Sequence, residues 1–247
     1  MPNKEPSKRQ VRKEQMRRKE IRSRLIGVGL ISVGALFLAF IFIYPNLKPI
    51  GDIEAAPQIS RENVDFNAVG NPDAPIKIEE YSDFQCPYCR IFFENTEELL
   101  LASYVADGTV YFVYRSFGDF IGAESGGAAQ AAYCAGDQGK FWEMHDIIFA
   151  NQTGENVGAY TDRRLAAFAE ELDLDMGEFN SCFDSGKYAD MVEQDAKDGL
   201  LAGIQATPSF VMTYTVNGET KTKIIEGAQP YDSFQAEIEA ALAEMGQ

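Results

Sequence analysis

The sequence predicts an α/β domain that follows a single membrane-spanning helix. Three observations support this fold class: an uncharged apolar run of twenty residues near the N-terminus, a β-α-β pattern after it, and a β-β-α pattern at the end of the chain. A block of helical segments separates the two patterns. Because strands that alternate with helices favour a sheet covered by helices, we expect one sheet with an inserted all-helical domain.

The charge is unevenly divided along the chain of 247 residues, whose net charge is -16. Residues 1–24 contain ten basic and three acidic side chains, a net of +7, so the remainder carries -23. The basic segment is short and lacks aromatic residues, and the acidic body would repel phosphates. We therefore predict no nucleic-acid partner. A hydrophobic content of 45% excludes a wholly disordered chain.

The apolar run is Leu25–Tyr44, in which Ser32 is the only strongly polar side chain. A helix of this length spans ~30 Å, the thickness of the hydrocarbon core. One alternative is a buried core helix, which is usually shorter or amphipathic. Another is a cleaved signal peptide, whose apolar region is usually ~7–15 residues long. We predict an uncleaved anchor in the lipid bilayer, with the basic N-terminus in the cytoplasm and everything after Tyr44 outside.

The chain divides into four predicted regions. Residues 1–24 form the basic cytoplasmic N-terminus, and residues 25–44 form the transmembrane anchor. Residues 45–62 are rich in proline and in small or polar side chains, which predicts a linker. Residues 63–247 form the folded domain, with the helical insertion at about residues 118–202.

Hydrophobic periodicity and turn signals place the elements of this domain. Pro75 favours an extended start for the first strand, and Asn217-Gly218 is a strong hairpin turn between the last two. The second strand is apolar on both faces, as buried strands are. The predicted strands are Ile76–Tyr81, Val110–Arg115, Ser209–Val216 and Thr220–Glu226. Apolar positions spaced by a helical turn predict the helices. They are Arg90–Ala106, Ser125–Ala135, Phe141–Ala150, Asp162–Leu172, Met176–Ser181, Tyr188–Leu201 and Pro230–Met245.

Two cysteines lie two residues apart in the segment Cys86-Pro87-Tyr88-Cys89, between a predicted strand and a predicted helix. This spacing serves either a redox dithiol or zinc. Cys86 would lie at the helix N-terminus, where free backbone N–H groups favour a thiolate, and Pro87 suits the first helical position. Cys86 is then the exposed nucleophile, and Cys89, one turn later, is the shielded resolving sulfur, placed to attack a mixed disulfide.

The remaining cysteines, Cys134 and Cys182, lie in the helical block, separated by 48 residues. They are either buried free thiols or a structural disulfide, and an outward-facing domain favours the disulfide. Such a bridge would tie two helices together and contribute ~4 kcal/mol. As zinc ligands beside the C-x-x-C pair they are isolated and far apart, so we predict no metal. His145 is the only histidine, and we expect it to pack beside Trp142 in a structural role.

Four motifs together resemble the DsbA-like branch of the thioredoxin superfamily. They are Asp83–Arg90 around the cysteines, Gly70–Pro75 before them, Gln138–Trp142 followed by His145-Asp146, and Gly203–Phe210. The matches run from about residue 63 to residue 242. The resemblance implies a thioredoxin fold (βαβ…ββα) with an inserted helical domain, in agreement with the element order read from periodicity.

The resemblance also assigns expected roles to individual residues. Thr207 and Pro208 match the cis-proline loop, which faces the dithiol and binds substrate together with Pro87 and Tyr88. Read without the family, Thr207-Pro208 is a turn that opens a strand. Glu80 matches the buried acid that accepts a proton in DsbA, whereas its alternative is an ordinary strand carboxylate. Tyr88 departs from DsbA, which has histidine at this place, so thiolate stabilisation must depend on backbone N–H groups and the helix dipole.

These observations predict a membrane-anchored thiol:disulfide oxidoreductase that forms disulfide bonds in exported proteins, without a cofactor. Its expected partners are reduced exported proteins and a membrane reoxidant of the DsbB or VKOR type, which the resemblance suggests. The alternatives are a disulfide isomerase or reductase, as in cytochrome c maturation, and a non-catalytic binding or chaperone module. An acidic body without an adjacent histidine predicts a dithiol that is activated but less oxidising than one in a C-P-H-C motif, with Cys86 titrating above about 4.

Overall fold

The computed structural model describes residues 8–47 and 49–246, which form two compact units. One unit extends to Gly51 and the other starts at Asp52. Residues 1–7 of the predicted basic segment, residue 48 of the predicted linker and residue 247 lie outside the described residues.

The first unit is dominated by one helix, α1, which runs from Lys8 to Leu47. Its segment Gln15–Ile41 contains an 18-residue window with a mean hydropathy of 2.2, and none of that window is buried in the structure. At ~1.5 Å per residue, the 27 residues of this segment extend beyond the hydrocarbon thickness of a bilayer. The described residues thus contain one helix that is long and apolar enough to cross a membrane, and it overlaps the predicted anchor.

The second unit is built on a six-stranded sheet in the order β1-β2-β4-β3-β5-β6. The strands are β1 Val64–Asp65, β2 Ala68–Val69, β3 Ile76–Ser82, β4 Val110–Ser116, β5 Ser209–Val216 and β6 Glu219–Glu226. The central strand β3 is parallel to β4 and antiparallel to β5, which places Glu80 between Tyr114 and Phe210. β3, β4 and β5 are largely buried, as expected of strands covered by helices.

The helices confirm the predicted β-α-β, helical block and β-β-α order. They are α2 Pro87–Phe92, α3 Glu98–Leu100, α4 Ala123–Gly136, α5 Phe141–Ala150, α6 Asp162–Glu171, α7 Met176–Asp184, α8 Ala189–Leu201 and α9 Tyr231–Met245. The helix predicted over Arg90–Ala106 is not uniform, because π-helical turns at Phe93–Glu97 and Leu101–Val105 flank α3. The β1–β2 hairpin was not predicted, since strands of two residues are too short to show an alternating pattern.

Helices α4 to α8 form the helical block and fall within the predicted insertion. A disulfide joins Cys134 of α4 to Cys182 of α7, with the two Cα atoms 5.8 Å apart. The bridge therefore ties together two helices that are distant in sequence.

Residues 52–61 pack against the second unit, although sequence analysis assigns them to the linker. Ile53, Ala56 and Ile59 are partly buried against the main core. The backbone N–H of Glu54 donates to the Asn151 side chain at 2.9 Å, and that side chain donates to the Glu54 carbonyl at 2.8 Å. Arg61 ends the segment, with its side chain only 5% exposed. The folded domain therefore starts near residue 52 and not at residue 63. Its first residues have no periodic pattern, and scattered apolar contacts and one buried arginine hold them in place.

Candidate functional site

The C-x-x-C segment starts a helix directly after the central strand. The loop after β3 leads to Cys86, which is the N-cap of α2, and Pro87 occupies the first helical turn. Cys86 and Cys89 are both free cysteines, and both are buried. The expectation that Cys86 is exposed is wrong, since only 4% of the residue is exposed. The reason is tertiary: the Thr207 carbonyl lies 3.3 Å from the Cys86 Sγ, and the Gln152 side chain donates to the Cys86 carbonyl.

Local hydrogen bonds activate the Cys86 thiol. Its pKa is lowered to about 6, chiefly by a hydrogen bond from the Cys89 side chain, while burial opposes this shift. Hydrogen bonds from the backbone N–H groups of Cys89 and Tyr88 lower the pKa further. This agrees with the prediction that activation without a histidine comes from close-range donors. The value lies above 4, as predicted for this motif.

The second sulfur has the opposite character. Burial raises the pKa of Cys89 well above its ordinary value, and its hydrogen bond to Cys86, the Cys86 charge and the Glu80 charge add to this effect. The backbone N–H of Asp83 donates to the Cys89 Sγ at 3.4 Å and opposes these effects. Cys86 is therefore the thiolate of the pair, and Cys89 holds its proton.

Glu80 lies inside the protein next to this pair. Burial raises the pKa of its carboxyl well above the ordinary range, and the charges of Glu97 and Cys86 raise it further, while the nearby Ser82 side chain opposes this shift. Its Oε2 has no hydrogen-bond partner among the described residues. A carboxyl whose pKa is raised in this way can donate a proton to a sulfur or take it back.

The loop before β5 approaches the dithiol. The Thr207–Pro208 peptide bond is cis, and both residues are buried beside Cys86. Pro87 and Tyr88 point the other way: both are exposed, and 62% of Tyr88 is accessible. The structure thus brings all of the predicted site residues together except the Cys134–Cys182 bridge, which lies in the helical block.

Buried polar side chains that the sequence analysis missed hold the loop before Cys86. The Asp83 carboxylate accepts hydrogen bonds from the N–H of Gln85 at 2.8 Å, the N–H of Ile121 at 2.9 Å and the Ser125 hydroxyl at 2.6 Å. The Gln152 side chain donates to the Phe84 carbonyl at 2.7 Å. Asp83 stands within the D-F-Q-C-P-Y-C-R motif, so its position beside the cysteines was the only available signal.

His145 packs beside Trp142 as predicted, with ring centroids 5.1 Å apart. It also belongs to a buried group with Glu97 and Asp146, residue types that could ligate a metal. However, the Arg61 guanidinium donates to the carboxylates of both acids, so a cation already lies between them. Zinc at the C-x-x-C pair would need two more ligands, and Cys134 and Cys182 are bonded to each other.

Comparisons with known proteins agree with this geometry. A family model described as "Thioredoxin" matches residues 62–240. The chain is 30% identical over 146 residues to "Probable disulfide bond formation protein D" of Bacillus anthracis, covering 58% of this chain and 67% of that protein. It is also 32% identical over 176 residues to "Na(+)/H(+) antiporter NhaA 1" of Salinispora arenicola, covering 70% of this chain. The chain spans only about a quarter of that relative, 24% of its length.

Solved structures share the fold. The chain resembles oxidised BdbD from Bacillus subtilis with a TM-score of 0.62 and 24% identity, covering 78% of this chain and 100% of that one. It resembles alpha-DsbA1 from Wolbachia pipientis with a TM-score of 0.62 and 22% identity, covering 72% and 92%. The predicted thioredoxin fold with an inserted helical domain is confirmed. The chain therefore belongs to the thioredoxin family, and it shares the fold of BdbD and alpha-DsbA1.

Proposed function

We propose that this protein is a membrane-anchored oxidoreductase that forms disulfide bonds in exported proteins through Cys86 and Cys89. The observation that carries the proposal is the difference between the two sulfurs. Hydrogen bonds lower the pKa of Cys86 to about 6, whereas burial holds the pKa of Cys89 well above its ordinary value. A low pKa makes Cys86 a good leaving group and stabilises the reduced dithiol, which is the property of an oxidant.

The reaction transfers two electrons from the client to the Cys86–Cys89 disulfide. A client thiolate attacks the Cys86 Sγ, the Cys86–Cys89 bond breaks, and the Cys89 sulfur leaves with the electron pair and takes a proton. A second client thiolate then attacks the client sulfur of the mixed disulfide, and Cys86 leaves as a thiolate. The client gains one disulfide, and the enzyme retains the electrons as a dithiol. Glu80, buried beside Cys89, is the proposed proton donor for its departing sulfur.

The client would approach from the exposed side of the helix N-terminus. Pro87 and Tyr88 offer accessible contact surface next to Cys86, and the Thr207-Pro208 loop borders the Cys86 sulfur. The buried Cys86 must become accessible when the client binds, since an attacking sulfur needs a direct approach to it. The client is therefore expected to be an extended or unfolded segment.

Helix α1 supplies the proposed membrane anchor. The ten basic residues within residues 1–24 would hold the N-terminus in the cytoplasm, which places the catalytic domain outside. Disulfide formation is favoured in that compartment. Each cycle leaves two electrons on Cys86 and Cys89, so we propose a membrane reoxidant of the DsbB or VKOR type.

The reduction potential of Cys86–Cys89 tests this proposal. Equilibration of the full chain in detergent with glutathione buffers should give a value near ~-120 to -180 mV, in the range of oxidants. A value near ~-270 mV would assign the protein to the reductases instead. Cys86→Ser should abolish oxidation of a reduced test protein, and retained turnover would contradict any enzymatic role of the pair.

A further inference from the structure

Four polar side chains form a cluster in the interior of the second unit. The Arg61 guanidinium donates to the Asp146 carboxylate at 2.7 and 2.8 Å and to the Glu97 Oε1 at 2.7 Å. The His145 Nδ1 lies 2.9 Å from the Asp146 Oδ1, and its Nε2 lies 3.8 Å from the Glu97 Oε2. Arg61 has 5% of its side chain exposed, and the other three have 3% or less. Buried charges of this kind are costly unless they are paired.

The cluster leaves three buried polar atoms without hydrogen-bond partners among the described residues. They are the Nε of Arg61, the Oε2 of Glu97 and the Nε2 of His145. Outside the cluster, towards the dithiol, the Oε2 of Glu80 also has no partner among the described residues. An unsatisfied buried polar atom costs ~1–3 kcal/mol and calls for an explanation. The carboxylate oxygens and the imidazole nitrogen among these atoms fit a role in proton exchange, because each can act alternately as donor and acceptor, whereas the Arg61 Nε can only donate.

The cluster lies between the redox site and a cavity. On one side, Glu80 is paired with Tyr114 across the β3–β4 ladder, and the Tyr114 ring centroid lies 5.3 Å from that of His145. In agreement with this proximity, Glu97 raises the pKa of Glu80, and Glu80 raises the pKa of Cys89. On the other side, Arg61 and Asp146 line a cavity of about 380 Å³, whose rim includes the exposed residue Asp173. The cluster thus connects the surroundings of Glu80 to a cavity whose lining includes neither Pro87 nor Tyr88.

Aromatic rings surround His145. Its ring centroid lies within 4.9 to 6.4 Å of six others, those of Phe84, Phe93, Tyr114, Phe141, Trp142 and Phe149. The titratable and charged groups that face it are Glu97, Asp146, Arg61 and Tyr114. Aromatic faces stabilise a cation, and the imidazole is the side chain that most readily gains and loses a proton near neutral pH.

We propose that His145 is a positioning residue for the redox reaction. Its imidazole passes protons between the Glu80–Glu97 pair and the cavity lined by Asp146 and Arg61. This inference rests on the proposed function, because it requires proton exchange at Cys89. It extends the role of His145 beyond packing against Trp142.

The proton balance of one half-reaction defines the role. When the Cys86–Cys89 bond breaks, the Cys89 sulfur receives a proton from Glu80, which becomes a carboxylate. Glu80 then recovers a proton by way of Glu97 from the imidazolium of His145, and His145 is reprotonated from solvent through the cavity. When the dithiol is reoxidised, the Cys89 proton leaves by the reverse route. No electron passes through the cluster.

The test compares His145→Gln with Phe149→Leu in the full chain in detergent. Glutamine can hydrogen-bond at the position of Nε2 but cannot carry a proton. Phe149→Leu is the control, because it removes a ring whose centroid lies 4.9 Å from that of the imidazole and so loosens the packing around His145 without changing the histidine. The oxidised protein is reduced with excess dithiothreitol between pH 5.5 and 8.5. Samples are quenched with acid at successive times, and their free thiols are counted by alkylation. Dividing the reduction rate of each variant by the wild-type rate at the same pH cancels the pH dependence that comes from the ionisation of dithiothreitol.

We expect the ratio for His145→Gln to fall about 10-fold at the upper end of this range and to recover towards low pH. At low pH, hydronium can deliver the proton without the relay. The ratio for Phe149→Leu should not vary with pH. A pH-independent ratio for His145→Gln would overturn the inference. If His145→Gln does not fold, His145→Asn, which keeps a polar atom facing Asp146, replaces it.

The control reactions separate this inference from the proposed function. Failure of dithiothreitol to reduce a Cys86–Cys89 bond in the wild-type protein would contradict the proposed function and the inference together. Normal wild-type reduction with a pH-independent His145→Gln ratio would contradict the inference alone.

Discussion

The hydrogen bond from the Cys89 side chain is the largest contribution that lowers the pKa of Cys86 to about 6. Cys89→Ala removes this donor and leaves the backbone donors of the helix N-terminus in place. We therefore expect the pKa of Cys86 to rise towards its ordinary value. Since Cys134 and Cys182 are bonded to each other, Cys86 is then the single free thiol and can be titrated without interference.

The magnitude follows from the strength of a hydrogen bond to a charged group. Such a bond contributes ~1.5–3 kcal/mol, which corresponds to a ~10- to 100-fold loss in the equilibrium constant for thiolate formation. With a pKa of about 6, half of Cys86 is thiolate at pH 6. After the substitution, the thiolate fraction at pH 6 should fall ~5- to 50-fold.

The assay is the rate of alkylation by iodoacetamide between pH 4 and 9, because only the thiolate reacts. The sign is fixed: a lowered pKa keeps Cys86 ionised above pH 6, and reactivity disappears as the pH falls through 6. Cys89→Ser is the matched control, since its hydroxyl keeps the donor. The serine variant should titrate near 6 and the alanine variant clearly higher. Equal midpoints near 6 in both variants would refute the assignment of activation to Cys89.

Three further predictions concern the buried acid, the buried arginine and the disulfide. Glu80→Gln should slow dithiothreitol reduction of the Cys86–Cys89 bond ~10-fold or more, because the departing Cys89 sulfur loses its proton donor. Arg61→Leu should lower the free energy of unfolding by ~3–5 kcal/mol in chemical denaturation, because two buried carboxylates lose their cation. Replacement of Cys134 and Cys182 by alanine should cost ~4 kcal/mol in the same measurement, since a loop of 48 residues is no longer closed, and should leave the Cys86 titration unchanged.

The predictions for Glu80 and Arg61 each have a control on the same scale. Glu79→Gln, at the neighbouring position of β3, should leave the reduction rate close to wild type, and an equal loss in both variants would contradict a role for Glu80. Lys197→Leu removes an exposed ion pair with Glu193 and should cost at most ~0.5 kcal/mol. A loss for Arg61→Leu no larger than that would contradict the buried ion-pair assignment.

Local sequence signals predicted most of the secondary structure. The helix Phe141–Ala150 and the strand Ser209–Val216 have the predicted bounds, because apolar periodicity and flanking turn residues act over a few positions. The π-helical turns within Phe93–Glu97 and Leu101–Val105 were not predicted. They change the helical repeat without changing residue type, so the sequence carries no signal for them.

Contacts between distant segments explain what the sequence analysis missed. The burial of Cys86 depends on Thr207, 121 residues further along the chain. The docking of residues 52–61 depends on Arg61, whose partners lie 36 and 85 residues away. A basic residue in a polar segment gives no local sign that it will be buried.

The sequence by itself determined the apolar helix, the order of the elements and the position of Cys86 at a helix N-terminus. Each of these depends on neighbouring residues, through hydrophobic length, periodicity and capping. Tertiary structure decided the difference in pKa between Cys86 and Cys89, and it brought the side chains of Glu97 and His145 next to each other. Burial raises the pKa of Cys89, and hydrogen bonds lower that of Cys86. Both environments, like the buried contact of Glu97 with His145, arise only when the sheet, the inserted helices and residues 52–61 pack together and exclude water from the same interior.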